Sequence, residues 1–276
     1  MQLVFLGNLL ISIKRLEGGP FPLLQVEAVT KQFAGFRAVD SCSFQVAAGS
    51  ITGIIGPNGA GKSTLFNIIA GFMKPTAGRI SLQQQDVTGL PAHRLFHQGL
   101  VRTFQIPREF GRMTVLENLM LVPPEQLGEN LAAALFRWGR IIQQERQVRQ
   151  RAEAVLDWLS LTHLRDELAC NLSGGQKKLL ELGRTLMVNP QLILLDEPGA
   201  GVNRTLLKQL TDVIRRLNTE QGCTICLIDH DLDLVGELCD RIVVMAQGSV
   251  LAEGTMAEVR QHPQVQAAYL GSAPTP

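Results

Sequence analysis

Residues Gly56-Pro57-Asn58-Gly59-Ala60-Gly61-Lys62-Ser63-Thr64 have the types and the spacing of a phosphate cradle. They satisfy G-x-x-x-x-G-K-S/T, follow the apolar run Ile51-Thr52-Gly53-Ile54-Ile55, and precede Leu65-Phe66-Asn67-Ile68-Ile69-Ala70-Gly71, which reads as a helix stopped by glycine. Strand, glycine-rich turn and helix is the context in which this motif holds a polyphosphate. Glycine lets the backbone curl with its N–H groups turned inward, and the helix start adds the positive end of its dipole. Lys62 supplies a point charge for the β- and γ-phosphates. The Ser63 hydroxyl is a ligand for Mg²⁺, and Thr64 is a donor to an α-phosphate oxygen. The competing reading is a glycine-rich turn that binds nothing, and the complete context weighs against it.

Other reactive side chains fall just after apolar runs. Asp196 and Glu197 follow Leu192-Ile193-Leu194-Leu195; Asp229 and His230 follow Ile225 to Ile228; Gln105 ends a strand read from Leu100 to Phe104. In an open parallel sheet the binding crevice lies outside the carboxyl ends of the strands, so these residues converge on one rim with the phosphate turn. Asp196 suits Mg²⁺, directly or through water. Glu197 suits a general base for an attacking water. His230 suits a contact to the γ-phosphate, and Gln105 a contact to the metal or the water. Phosphoryl transfer needs little more, because it is mostly positioning and charge stabilisation. A second anion site is predicted at Leu172-Ser173-Gly174-Gly175-Gln176, where Ser173, Gly174, Gly175 and Gln176 open a helix that runs to about Val188. One nucleotide already cradled by Lys62 has no obvious use for a second cradle in the same chain.

The elements that position these groups are read from periodicity. Leu24 to Val29 alternates as a strand, and Val39, Phe44 and Val46 fall in or beside the next ones. Gly78 to Leu82 forms a hairpin arm, and Pro91 to Gln98 a short helix. Helical patterns dominate from Thr114 to about His163, with Thr114-Val115-Leu116-Glu117 as a capping-box start. Val148, Ala152, Val155 and Leu159 mark an amphipathic face, and Arg146, Arg149 and Arg151 its solvated side. Beyond it, the runs at Leu192, Ile225 and Ile242 are continuous apolar strands, alternating with helices over about Arg204 to Leu217 and Leu232 to Leu238. That is doubly wound α/β.

Composition narrows the class. The 276 residues are 45% hydrophobic and 18% charged, enough for one large or two small domains. A formal net charge of +1 and 5% aromatics argue against nucleic acid as partner. Five cysteines make no complete disulfide framework. Cys223 and Cys226 form a C-x-x-C within a strand-like run, so their thiols point to opposite faces. This suits a reducing compartment. No run reaches the roughly 18 apolar residues of a membrane span. Leu3 to Ile13 lacks a basic start and a small-residue cleavage site, and reads as part of an extension over residues 1–22, separated from the rest by Gly18-Gly19-Pro20-Phe21-Pro22.

Taken together and in this order, GPNGAGKST, Gln105, LSGGQ, LILLDE and His230 resemble the ABC-type ATPases. The resemblance runs from about Leu24 to Leu270. It implies a P-loop NTPase (RecA-like) core with a parallel sheet, an antiparallel β subdomain, and an inserted α-helical subdomain over about 106–188, within an ABC ATPase domain of 23–271 and a tail of 272–276. It implies ATP and Mg²⁺ as cofactors. It also implies a nucleotide-sandwich dimer in which Ser173 to Gln176 of one subunit meet the γ-phosphate held by the other. By the same resemblance Phe33 matches the aromatic that stacks on adenine, with Val39 beside it; alone, each reads as an ordinary partly buried or core residue. Gly199-Ala200-Gly201-Val202-Asn203 stands at the family's dimer-contact loop, where Asp is frequent in place of Asn203.

Arg102-Thr103-Phe104-Gln105, Met113 to Leu119, the inserted helices near Leu127 to Gln150, and the ending Ala252 to Gly254 through Ala268 to Gly271 are similar to the branched-chain amino acid importers, the LivG-like subunit type. The implied partners are a second ATPase subunit (a copy or a related paralogue), transmembrane permease subunits, and indirectly a periplasmic or extracellular substrate-binding protein. The implied place is the cytoplasmic face of the inner membrane. Urea or amide import, lipopolysaccharide export and a soluble ABC ATPase are the alternatives. A guanine-nucleotide switch lacks its Asn-Lys-x-Asp signature here.

Overall fold

The computed structural model describes residues 22–103, 109–124, 126–129 and 138–270. Two sheets stack against each other. The smaller is antiparallel, in the order β2 (Phe36–Ala47), β1 (Pro22–Phe33), β4 (Ala77–Leu82), β5 (Gln85–Asp86). The larger runs β10 (Ser249–Gly254), β9 (Arg241–Ala246), β3 (Ile51–Ile55), β8 (Thr224–Ile228), β7 (Leu192–Asp196), β6 (Leu100–Arg102). All its pairings are parallel except β10 with β9.

The helices are α1 (Lys62–Ile69), α2 (Ala92–His97), α3 (Val115–Met120), α4 (Trp138–Trp158), α5 (Gly174–Leu186), α6 (Arg204–Thr219), α7 (Leu232–Leu238), α8 (Met256–Gln261) and α9 (Pro263–Leu270), with short 3₁₀ turns between. Arrangement and class are those expected: an antiparallel β subdomain beside a mainly parallel sheet with helices.

The continuous apolar runs have a physical reason. Side chains alternate across a strand, and here both faces of the large sheet are covered. Ile193 and Leu195 of β7, with Ile225 and Leu227 of β8, join one cluster with α5, α6 and α7. Leu192 and Leu194, with Cys226 and Ile228, join the other cluster, beneath α1 and the antiparallel sheet. Cys223 and Cys226 fall in different clusters, so the C-x-x-C does not converge. All five cysteines are free.

Several local expectations change. Strand β1 does not alternate to Val29: Ala28 takes φ of 46° in a bulge, so Val29, not Ala28, turns into the core. Strand β6 ends at Arg102, and Phe104 and Gln105 lie outside the described residues, as do the proposed extension up to Phe21 and part of the inserted helical stretch. Arg151 is not on a solvated face. It is half-buried and donates to the Leu186 carbonyl at 2.6 Å and to Asn189 Oδ1, tying α4 to the end of α5. The charge is retained there because backbone and amide oxygens replace water. The capping box at Thr114 is present, with Thr114 N–H donating to Glu117 Oε2 at 2.7 Å.

Candidate functional site

The register of the large sheet brings the reactive residues to one edge. Ile54 of β3 pairs with Ile228 of β8, and Ile228 with Asp196 of β7. The phosphate loop, Asp196-Glu197 and Asp229-His230 therefore leave the sheet at the same level. Arg102 in β6 pairs with Leu194, placing Thr103 at that edge too.

The loop is glycine-dependent in a specific way. A Cβ on Gly56 would stand 2.1 Å from the Met245 carbonyl oxygen, and one on Gly61 2.3 Å from that of Ala38. Both glycines have φ values that side chains rarely adopt, 151° and 95°. Gly59, at φ 81°, faces open space instead. Outer walls hold the loop at two glycines, and the third opens the mouth. Lys62 is buried, and its ammonium donates to the carbonyls of Gly56 at 2.7 Å and Pro57 at 3.0 Å. Burial pushes its pKa down, while Glu197 pulls it back up. Ser63 is exposed and Thr64 half-buried at the start of α1.

Around the loop, Glu197 Oε1 lies 2.8 Å from His230 Nε2. Glu197 adopts φ of 49°, a left-handed turn that ends the strand at once, and its N–H donates to the Ile228 carbonyl at 2.8 Å. Asp229 is buried and acts as a structural acceptor. Its Oδ2 takes the Gly199 N–H at 3.0 Å, and its Oδ1 takes those of His230 and Asp231 at 2.7 and 3.0 Å. One carboxylate thus fixes the loops after β7 and β8 relative to each other.

Asp196 is held by a residue that the motifs alone did not single out for chemistry. Arg102 donates from Nη2 to Asp196 Oδ2 at 2.7 Å and from Nη1 to Asn67 Oδ1 at 2.6 Å, with the Phe66 and Phe72 rings at 5.9 and 5.6 Å from its guanidinium carbon. Both members of the ion pair are nearly buried, at 8% and 11% side-chain exposure. A basic residue ending an apolar strand was the available signal. Tyr269 is the other omission. It is the chain's single tyrosine, and its phenol hydrogen-bonds the backbone of Gly56, so the last helix touches the phosphate loop. Nothing in local spacing announces that contact.

The expected second anion site lies at a helix N-terminus. Ser173 caps α5 in a capping box: its N–H donates to Gln176 Oε1 at 2.9 Å and its Oγ accepts from Gln176 N–H at 3.4 Å. Gly174 faces open space and Gly175 packs against Leu206. Ser173 and Gly174 are exposed and belong to the outer surface of the subunit. Ser173 and Gln176 border a cleft that Asn203, Thr205, Leu206 and Gln209 close on the other side. Asn203 caps α6 through Leu206 N–H at 2.9 Å. Asn and Asp cap about equally well, so Asn at this position keeps the local fold an Asp would give.

Phe33 sits at the tip of the β1–β2 hairpin, 44% exposed, with the Lys31 ammonium 5.2 Å from its ring centre. Val39 is wholly buried in the cluster beneath the antiparallel sheet. Pro57, Asn58 and Ala60 complete the loop, with Ala60 buried. Among the described residues no helix is long and apolar enough to cross a membrane, and no group of three or more His, Cys, Asp and Glu forms a metal cage.

Comparison with known proteins gives a consistent picture. Residues 39–200 match the ABC transporter family, and residues 249–274 match the family described as branched-chain amino acid ATP-binding cassette transporter. The chain is 40% identical over 252 residues to the high-affinity branched-chain amino acid transport ATP-binding protein BraF of Pseudomonas aeruginosa, covering 91% of this chain and 99% of that one. It is 39% identical over the same length to LivG of Escherichia coli K12, with the same coverage. Among solved structures it is similar to a nucleotide-free ATP-binding cassette from an ABC transporter, at TM-score 0.77 and 40% identity over 90% of this chain and 99% of that one. An ATP-binding cassette in its ADP conformation matches at TM-score 0.78 and 40% identity, over 91% and 100%.

Proposed function

The chain belongs to the ABC transporter family as an ATPase subunit, and from that premise we propose that it powers import of branched-chain amino acids. The observation that carries the cargo class is the carboxy-terminal match at residues 249–274, together with relatives of that name over nine-tenths of the chain.

In this reading Lys62, Ser63, Thr64 and the Gly56 to Gly61 backbone hold the triphosphate, and Phe33 stacks on the adenine. Ser63 and Asp196 would hold Mg²⁺ together with phosphate oxygens, and Gln105 would complete the set. The residues fit the ion, since Mg²⁺ takes one or two carboxylates plus phosphates and water and not an all-protein cage. Its chemistry is neutralisation of charge at the β- and γ-oxygens. Lys62 leaves the Gly56 and Pro57 carbonyls for phosphate when nucleotide enters. Glu197 takes a proton from the attacking water, and His230 holds the Glu197 carboxylate in place and reaches the γ-phosphate.

Ser173 to Gln176 serve the nucleotide of a second subunit, which explains an anion site on the outer surface. Two subunits packed head to tail close around two ATP molecules, and hydrolysis lets them part. Motion would pass to permease subunits through the segment from Gln105 to about Leu119, part of which is pinned to α5: Lys177 pairs with Glu109 at 2.7 Å, and the Arg184 guanidinium lies 5.4 Å from the Phe110 ring centre. The binding protein outside the membrane meets the permease and not this chain. The direct test is uptake of labelled leucine by cells in which the chromosomal copy carries Lys62→Ala. Loss of leucine uptake with other transport intact supports the cargo class. Normal leucine uptake overturns it.

A further inference from the structure

The ammonium of Lys178, on the second turn of α5, donates to three backbone carbonyls of one loop: Glu197 at 3.1 Å, Pro198 at 2.8 Å and Ala200 at 2.6 Å. A lysine usually keeps its strongly hydrated head in water and lays its stem along the surface. Here its three donors are spent on carbonyl oxygens in place of water. Burial pushes its pKa down, while the nearby Asp229, Glu181 and Glu197 carboxylates pull it up. The loop it grips begins at Glu197, whose left-handed φ of 49° is a strained conformation that persists only where the surrounding structure holds it.

The same loop is fastened at its other end. A Cβ on Gly175 would stand 1.6 Å from Leu206 Cδ2, so α5 and α6 touch where no side chain could be added. The Leu206 N–H in turn donates to Asn203 Oδ1 at 2.9 Å, the cap of α6. Residues 197–203 are therefore anchored to α5 at both ends.

We propose that Lys178 is a positioning residue that makes the start of α5 and the loop carrying Glu197 move as one piece. This rests on the sandwich dimer proposed above. In that dimer Ser173 of one protomer serves one ATP, while Glu197 of the same protomer serves the other. The Lys178 tether then links two different sites: closure of Ser173 on the first nucleotide sets the Glu197 turn at the second. The result is positive cooperativity in hydrolysis, carried by backbone carbonyls and one ammonium.

The test compares the ATP dependence of hydrolysis for wild type, Lys178→Met and Lys178→Arg, with Lys178→Gln as a milder variant should Lys178→Met fail to fold. With two sites the Hill coefficient has an upper limit of about 2. The expected result is a coefficient well above 1 in wild type, a fall to about 1 in Lys178→Met or Lys178→Gln, and recovery in Lys178→Arg, while binding of ATP to single protomers changes less than about twofold. A folded Lys178→Met or Lys178→Gln that keeps the wild-type coefficient overturns the proposal, whatever its maximal rate. Failure of Glu197→Gln to dimerise with ATP overturns the dimer reading beneath it. Dimerisation with an unchanged coefficient overturns the tether alone.

Discussion

His230 Nε2 and Glu197 Oε1 stand 2.8 Å apart across the gap between the loops after β8 and β7. The histidine is 46% exposed and the glutamate 18%. The contact is thus placed where it contributes little to stability and much to the orientation of a base. His230→Ala is expected to change unfolding free energy by less than about 0.5 kcal/mol and to lower ATP turnover by about 10²-fold or more. Urea titration and a phosphate-release assay check both. An unchanged turnover would remove His230 from the reaction.

Arg102 and Asp196 predict the opposite balance. Breaking a buried ion pair by removing one member leaves an uncompensated charge and costs about 3–5 kcal/mol. Arg102→Leu is expected to lose about that much stability, and Arg102→Leu combined with Asp196→Leu to recover a large part of it. Urea unfolding of the three variants measures the difference. A single variant as stable as wild type contradicts the pairing.

Thiols set the alkaline limit. Burial raises Cys42 and Cys223 to about 11 and Cys239 to about 12, from an ordinary 9.0, and pushes Cys226 up as well. Between pH 9 and 11 the unfolded chain has lost these protons and the folded chain keeps them, so stability falls as pH rises through that window. Lys62 and Lys178, whose pKa values burial lowers, act with the opposite sign. Four thiols outweigh two amines, and a net loss of stability from pH 8.5 to pH 10.5 is expected in urea titrations. Below pH 8, a maleimide should modify the exposed Cys170 far faster than the others.

What the sequence made legible follows from range. The phosphate loop, the capping box at Thr114, the helix start at Ser173, and the strands at Leu192 and Ile225 are each determined by neighbours within a few positions, and they are readable. The doubly covered sheet was readable because a strand buried on both faces must be apolar throughout. The bulge at Ala28 was not, since it answers to the register with β2 and β4. The roles of Arg151, Lys178 and Tyr269 were not either. Their partners lie between 19 and more than 200 positions away, and a basic or aromatic residue in a helix carries no local mark of what it meets.

The measurement that bears most directly on the whole account is the mass in solution of Glu197→Gln with and without Mg²⁺ and ATP, by light scattering on a sizing column. The account requires a monomer of 30.2 kDa without nucleotide and a species of about twice that mass with ATP, because each subunit holds one half of each site. It also requires that adding Ser173→Arg, which places bulk and charge where the partner's γ-phosphate would dock, abolishes the larger species while single-protomer ATP binding persists. A Glu197→Gln protein that binds ATP and stays at the monomer mass contradicts the account at its centre.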